Sequence, residues 1–209
     1  MFLDTMSNQS TKVILLGTNN QAKQERMSWL LKDSGYICVL PKQLSLEMPL
    51  IPEEGPSHES NARTKALVWS QLYGGLALAS DGGLVIPALG SYWDSLNTHR
   101  FSTSNDVRRA HDLLSIMTSL KWHQRHAHWS ESIALANNGN LLHLLSARSG
   151  DGFIARDVKI SLIKDDFWVG SILYFPQFGK RYAELTQEEL RLVGDHWMAL
   201  KELIRNFLL

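Results

Sequence analysis

Three stretches of this 209-residue sequence hold side chains whose types and spacing suit a phosphorylated ligand and a hard cation. The first is Thr18-Asn19-Asn20-Gln21-Ala22-Lys23, where an apolar run hands over to a segment of helical spacing. A helix start exposes unpaired N–H groups and the positive end of its dipole, a ready anion site. Thr18 and Asn20 add side-chain donors, and Lys23, one turn in, adds a point charge. The spacing is not that of a Walker A loop, and an ordinary capped helix with a solvated lysine is the plain alternative. The second stretch is Glu53-Glu54-Gly55, followed by Asn61 and Lys65 on a helix. Residues four apart project from one helix face and can reach one ligand together. Carboxylates beside such a face suit Mg²⁺, which prefers oxygen ligands and keeps part of its water; a solvated acidic turn accounts for the same residues. The third is Asp81, after the apolar residues 76–79 and before Gly82-Gly83. A carboxylate at the carboxyl end of a buried strand stands where open α/β sheets bind ligands, and glycines let a phosphate or metal come close. A turn aspartate capping the next segment is its alternative. His123, His126 and His128 invite a metal reading, but only two of them share a strand face and no carboxylate or cysteine stands at ligand spacing. They read as half-buried strand positions.

The elements that must position these residues are legible from periodicity. Residues 12–17 predict a buried strand, 21–32 a helix with Met27, Leu30 and Leu31 on its apolar face, and 36–40 a second strand. A strand–helix–strand opening predicts an α/β fold. Residues 41–57 carry four prolines and read as a loop, 59–72 as a helix, 76–79 as a strand ending in a turn at Ser80-Asp81-Gly82-Gly83, 91–104 as a surface excursion and 106–121 as a helix. Residues 126–136 and 141–147 predict a hairpin turning at Asn137-Asn138-Gly139-Asn140. Two more strands are expected over 152–163 and 167–175. Thr186-Gln187-Glu188-Glu189 matches a capping box, opening one helix to about Phe207 that buries Leu190, Val193, Leu200, Leu203, Ile204 and Phe207.

Composition excludes several classes. With 21 basic and 21 acidic side chains, the formal charge is zero, so no basic excess drives binding to a nucleic acid or an anionic membrane. Cys38 is the sole cysteine, which rules out an intrachain disulfide and a cysteine-rich zinc site and fits a reducing compartment. No apolar run reaches bilayer-spanning length, and the start of the chain lacks the pattern of a signal peptide. A frayed extension over residues 1–11, one two-lobed domain over 12–209 and a cytoplasmic location are the expectations.

In this order the motifs become specific. Thr-x-Asn-x-x-Lys after the first strand, Glu-x-Gly followed by Asn-Ala-x-x-Lys-Ala, an Asp-x-Gly-Leu turn and Ala-Glu-Leu-Thr before the last helix resemble the inosine triphosphate pyrophosphatase family. The stretches concerned are 18–23, 53–66, 80–84 with Ala88-Leu89-Gly90, Thr98-His99-Arg100, Gly152-Phe153-Ile154-Ala155-Arg156 and 183–186. The resemblance covers about residues 12–208. It implies an elongated α/β fold with a long bent mixed β-sheet flanked by helices, two lobes with a central cleft, and a homodimer. It implies Mg²⁺-dependent hydrolysis of a small-molecule nucleoside triphosphate (ITP, XTP or a deoxy form) to the monophosphate and pyrophosphate. Thr18, Asn20, Lys23 and Lys65, with Gly82 beside them, then grip the triphosphate. Glu53 or Glu54, together with Asp81, holds Mg²⁺, and Asp81 serves as base for the attacking water. Lys180, Asp195 and His196 fall at the substrate's base end.

The departures from that family matter as much. Its Ala-Asp-Asp-Ser-Gly-Leu stands here as Ala79-Ser80-Asp81-Gly82-Gly83-Leu84, without the first carboxylate and the serine. Its Phe-Gly-Tyr-Asp-Pro appears as Phe167-Trp168-Val169-Gly170-Ser171, and its late Ser-His-Arg as Gly194-Asp195-His196, although Lys180 persists. A site built on directional donors loses discrimination when they go. Two readings follow: a pyrophosphatase with altered base preference, or a catalytically weak paralogue that binds nucleotide or scaffolds a partner.

Overall fold

The opening apolar run forms strand β1 (Lys12–Leu16), with Ile14, Leu15 and Leu16 fully buried. Asn20 caps helix α1 (Gln21–Leu30) by accepting from the Lys23 N–H at 2.8 Å. Strand β2 (Tyr36–Val39) returns parallel to β1. Helix α2 (His58–Tyr73) starts on Ser57, whose hydroxyl accepts from the Ser60 N–H, and ends at Gly74. Next come β3 (Leu76–Val85), α3 (Asp106–Ile116), the hairpin β4 (His126–Asn137) and β5 (Asn140–Arg148), and the short strands β6 (Gly152–Ile154), β7 (Leu173–Phe175) and β8 (Lys180–Arg181). Helices α4 (Gln187–Leu192) and α5 (His196–Leu208) close the chain. This computed structural model describes residues 12–47, 49–102, 105–163 and 167–208; the extension expected over residues 1–11 lies outside them.

Among the described residues, eight strands form one mixed sheet in the order β2-β1-β3-β4-β6-β7-β8, with β5 added beside β4. β1 pairs parallel with β2 and β3, and the remaining pairs are antiparallel. The β4–β5 turn has positive φ at both Asn138 and Gly139, the conformation an Asn-Gly hairpin turn requires. One apolar cluster joins Ile14, Leu16, Met27, Leu78, Trp197, Leu200 and Ile204. A second gathers Leu84, Trp93, Leu113, Trp168, Phe175 and Leu190. Between α2 and the sheet lies a layer of alanines, Ala62, Ala66, Ala79, Ala134 and Ala136. Their small side chains let the helix lie close enough for its polar stripe to reach β3. No helix among the described residues is long and apolar enough to cross a membrane.

The structure corrects the sequence reading in several places. Ser80-Asp81-Gly82-Gly83 is not a turn: β3 runs through it, paired with β4 from Leu76↔Asn137 to Val85↔His128. The two glycines serve close approach instead. A Cβ at Gly83 would stand 2.0 Å from the Ser95 carbonyl oxygen, and one at Gly82 would stand 2.0 Å from Glu131 Oε2. The final helix breaks into α4 and α5, because Gly194 takes a left-handed φ of 68° and the Gly150 N–H bonds the freed Val193 carbonyl at 3.0 Å. Leu203 and Phe207 are exposed, not buried. The strands expected over 152–163 and 167–175 shrink to β6 and β7, and α3 ends at Ile116. The excursion at 91–104 is tethered to the core by Trp93, whose indole N–H donates to the Leu84 carbonyl at 2.6 Å.

Candidate active site

The phosphate-suited end is built where β1 stops. The Gly17 N–H bonds the Leu78 carbonyl at 2.7 Å, fixing the loop to β3. Thr18 Oγ1 accepts from the Asn20 N–H at 3.2 Å, and Gln24 Nε2 donates to the Thr18 carbonyl at 2.9 Å. The loop is thus preset, with Lys23 projecting from the first turn of α1.

On the α2 side of β3, the carboxylates converge. Asp81 accepts from Lys65 Nζ at 2.6 Å through Oδ1; its Oδ2 meets His58 Nδ1 at 2.7 Å and Asn61 Nδ2 at 3.4 Å. His58, Asn61 and Lys65 lie three and four residues apart, which puts them on one helix face. Lys65 also pairs with Glu53 Oε1 at 2.6 Å, and Glu53 Oε2 pairs with Arg100 at 2.9 Å. The Gly55 N–H bonds Asn61 Oδ1, pinning the Glu53 loop to the helix. Burial pushes the Asp81 carboxyl up, but the hydrogen bond from His58 and the charges of Lys23 and Lys65 outweigh it, holding the group well below the usual carboxylate range. Lys65 is shifted up: burial opposes its charge, and Asp81 and Glu53 more than compensate.

Of the two loop glutamates, Glu53 belongs to this cluster and Glu54 is exposed. Asp81 and Glu53 already share one cation, the Lys65 ammonium. Two carboxylates plus substrate oxygens form a donor set that suits Mg²⁺. Among the described residues no group of three or more metal-ligating side chains occurs, and His123, His126 and His128 do not gather into one. His126 packs against Phe153, and His128 faces Asp151.

The opposite side of the sheet opens into a cleft of about 640 Å³. Its walls include Lys23, Trp29, Trp129, Phe167, Tyr182 and Trp197. Glu131 forms its floor, only 1% exposed, with Oε2 accepting from the Trp129 indole at 2.8 Å and Oε1 3.5 Å from Lys23 Nζ.

At the base end the sequence reading needs correction. Asp195 does not face the cleft: it accepts from the Tyr182 hydroxyl and caps α5 through the Met198 N–H at 3.1 Å. His196 is fully buried beneath Trp129 and Tyr182. Lys180 pairs with Glu189 at 2.6 Å, bracing the capping box of α4. Trp168 and Val169 are core residues, whereas Trp197 does line the cleft. Sequence reasoning missed Glu131 and His58. The first was visible as a charge interrupting the apolar run of β4. The second was visible as the residue one turn ahead of Asn61.

The chain combines a mixed sheet, a preset loop ahead of α1, a carboxylate–lysine cluster and an aromatic-walled cleft in one α/β protein. The chain belongs to the Ham1 family, whose family model matches residues 14–206, and the resemblance carried by the motifs is borne out. It is similar to a dITP/XTP pyrophosphatase of Symbiobacterium thermophilum, 33% identical over 195 residues that cover 91% of this chain and 92% of that one. A dITP/XTP pyrophosphatase of Desulforamulus reducens is 29% identical over 191 residues, covering 90% and 92%. Among solved structures, a HAM1 protein from Coxiella burnetii superposes with a TM-score of 0.76 at 28% identity, covering 94% of this chain and 98% of that one.

Proposed function

We propose that the chain is a Mg²⁺-dependent nucleoside triphosphate pyrophosphatase for purine nucleotides, with altered base preference, acting in the cytoplasm as a homodimer. The observation that carries this reading is the pair Asp81 and Glu53 joined through Lys65, one strand away from Lys23 and the start of α1. The relatives named dITP/XTP pyrophosphatases support the same reaction.

In this reading the triphosphate lies across the start of α1, where Lys23 and the helix N–H groups meet the charge that gathers on the departing pyrophosphate. Asp81 is ionised at neutral pH, so it accepts a hydrogen bond from the attacking water and steers its oxygen toward the α-phosphorus. The bond that breaks joins that phosphorus to the pyrophosphate oxygen. Lys65 and His58 hold the two Asp81 oxygens in place, and Arg100 steadies Glu53. Asp81 and Glu53 are the residues that would hold Mg²⁺, which when bound would supply charge neutralisation at the phosphates.

Pyrophosphate release from ITP, XTP, GTP and ATP, with Mg²⁺ and with a chelator, tests the proposal. Release from at least one purine triphosphate, abolished by the chelator and restored by excess Mg²⁺, is expected. No release from any of them refutes it. Lys23→Ala should raise KM about thirtyfold, some 2 kcal/mol, whatever the base, because a charge on the phosphate tail is blind to the ring.

A further inference from the structure

Glu131 is an anomaly of the fold. It sits in the middle of β4, directly opposite Gly82 of β3, and is 1% exposed. Its Oε1 is closed off from water and makes no hydrogen bond; the nearest charge is Lys23 Nζ at 3.5 Å. A buried carboxylate without a cation beside it is strongly destabilising, so Glu131 depends on Lys23. The room for this carboxylate is made by Gly82, since any Cβ there would overlap Glu131 Oε2. Trp129 then fixes Oε2, leaving Oε1 turned to Lys23.

Successive residues of a strand face opposite sides of the sheet. Asp81 faces α2, so Ser80 and Gly82 face the cleft side with Glu131. Ser80 pairs with Ile133 and is therefore a diagonal cross-strand neighbour of Glu131. The Ser80 hydroxyl is buried without a partner. Position 80 is where the resembled motif carries its first carboxylate. The chain thus lacks an acid at 80 and has one on the adjacent strand, on the same face, with a glycine at 82 that admits it.

We propose that Glu131 is a positioning residue that replaces the missing carboxylate of position 80 and holds Lys23 on the cleft side of the sheet, away from Asp81. Lys23 also lies within electrostatic reach of Asp81. Without Glu131, the lysine is drawn toward that carboxylate, which then steers water poorly. The role concerns placement rather than affinity. Removing a negative charge from beside a polyphosphate site does not weaken polyanion binding; only the arrangement for reaction suffers.

This inference rests on the pyrophosphatase reading for its rate measurements, and binding of inorganic tripolyphosphate supplies a readout independent of it. In Glu131→Gln, kcat should fall about tenfold or more while the Kd for tripolyphosphate, measured by calorimetry, stays equal or tightens. Adding Ser80→Asp to that variant should return kcat to within about threefold of the parent. Unchanged kcat in Glu131→Gln overturns the proposal, as does weakened tripolyphosphate binding, which would make Glu131 a direct substrate or metal contact. Failure of Ser80→Asp to rescue also overturns it. If Glu131→Gln does not fold, Glu131→Asp takes its place: the shortened acid should lower kcat without weakening tripolyphosphate binding, and an unchanged kcat is the refuting result. A parent protein that binds tripolyphosphate but hydrolyses no nucleotide refutes the pyrophosphatase reading instead.

Discussion

At the scale of single residues, the site separates groups that look alike in sequence. Glu53 and Glu54 are adjacent, yet only Glu53 reaches Lys65 and Arg100. Glu53→Gln should therefore lower kcat/KM at least about a hundredfold, whereas Glu54→Gln should stay near the parent. Comparable losses in the two would show that both carboxylates act. Asp81→Asn should abolish turnover with the fold retained, which pyrophosphate release beside circular dichroism would check; near-full activity would remove Asp81 from the mechanism. His196 carries a pH prediction. Burial pushes its imidazole down, against the opposing pull of Asp195 and Glu131, with Arg26 and Lys23 adding to the downward shift. The folded state therefore resists protonation while the unfolded chain accepts it near pH 6.5. Stability is complete above that pH and declines as pH falls below it, by up to about 1.4 kcal/mol per pH unit for one proton. Denaturant titrations of the parent and of His196→Phe across pH 5–7 should show a shallower slope in the variant. Equal slopes would assign the pH dependence to other groups.

At the scale of elements, the first half of the fold was legible because its strands and helices carry their own signals. β1, α1, α2 and the β4–β5 hairpin follow from apolar spacing, caps and an Asn-Gly turn. The stripe Asn61–Lys65 was legible for the same reason, whereas its contact with Asp81, read from sequence as a turn residue, was not. What escaped the sequence are features decided by distant packing. Gly82-Gly83 reads locally as a turn, but Ser95 and Glu131 press against the strand there and only glycine fits. Asp195 reads as a ligand group, but the left-handed Gly194 ahead of it makes it a helix cap. The same dependence on tertiary context governs β6, which is too short to hold itself. Arg125, 2% exposed, anchors it by donating to the carbonyls of Ile154 at 2.7 Å, Met117 at 2.6 Å and Ala155 at 2.6 Å. A lysine has the charge without the fork. Arg125→Lys should thus lower unfolding stability by about 3 kcal/mol, read from the denaturant midpoint; a change under about 0.5 kcal/mol would mean that β6 needs no such anchor.

At the scale of the whole molecule, the sheet divides the chemistry between its two faces, with the acidic cluster under α2 and the aromatic cleft opposite. Asp195 and His196 are buried and Lys180 pairs with Glu189, so in the proposed function these three would not read the base, and stacking on the rings of the cleft would tolerate any base. Preference for ITP over ATP in kcat/KM should remain below about a hundredfold, some 2.7 kcal/mol of discrimination. A larger ratio would show that another group in the cleft reads the ring edge. The division of the tryptophans has an optical consequence. Trp29, Trp129 and Trp197 border the cleft, the last two from within the core, while Trp69, Trp93 and Trp168 are buried away from it. A purine entering the cleft stacks near the first set only, so it should quench part of the intrinsic emission, whereas tripolyphosphate, which has no ring, should leave the emission nearly unchanged. The unlabelled protein thereby carries its own fluorescent gauge of which end of a nucleotide it has engaged.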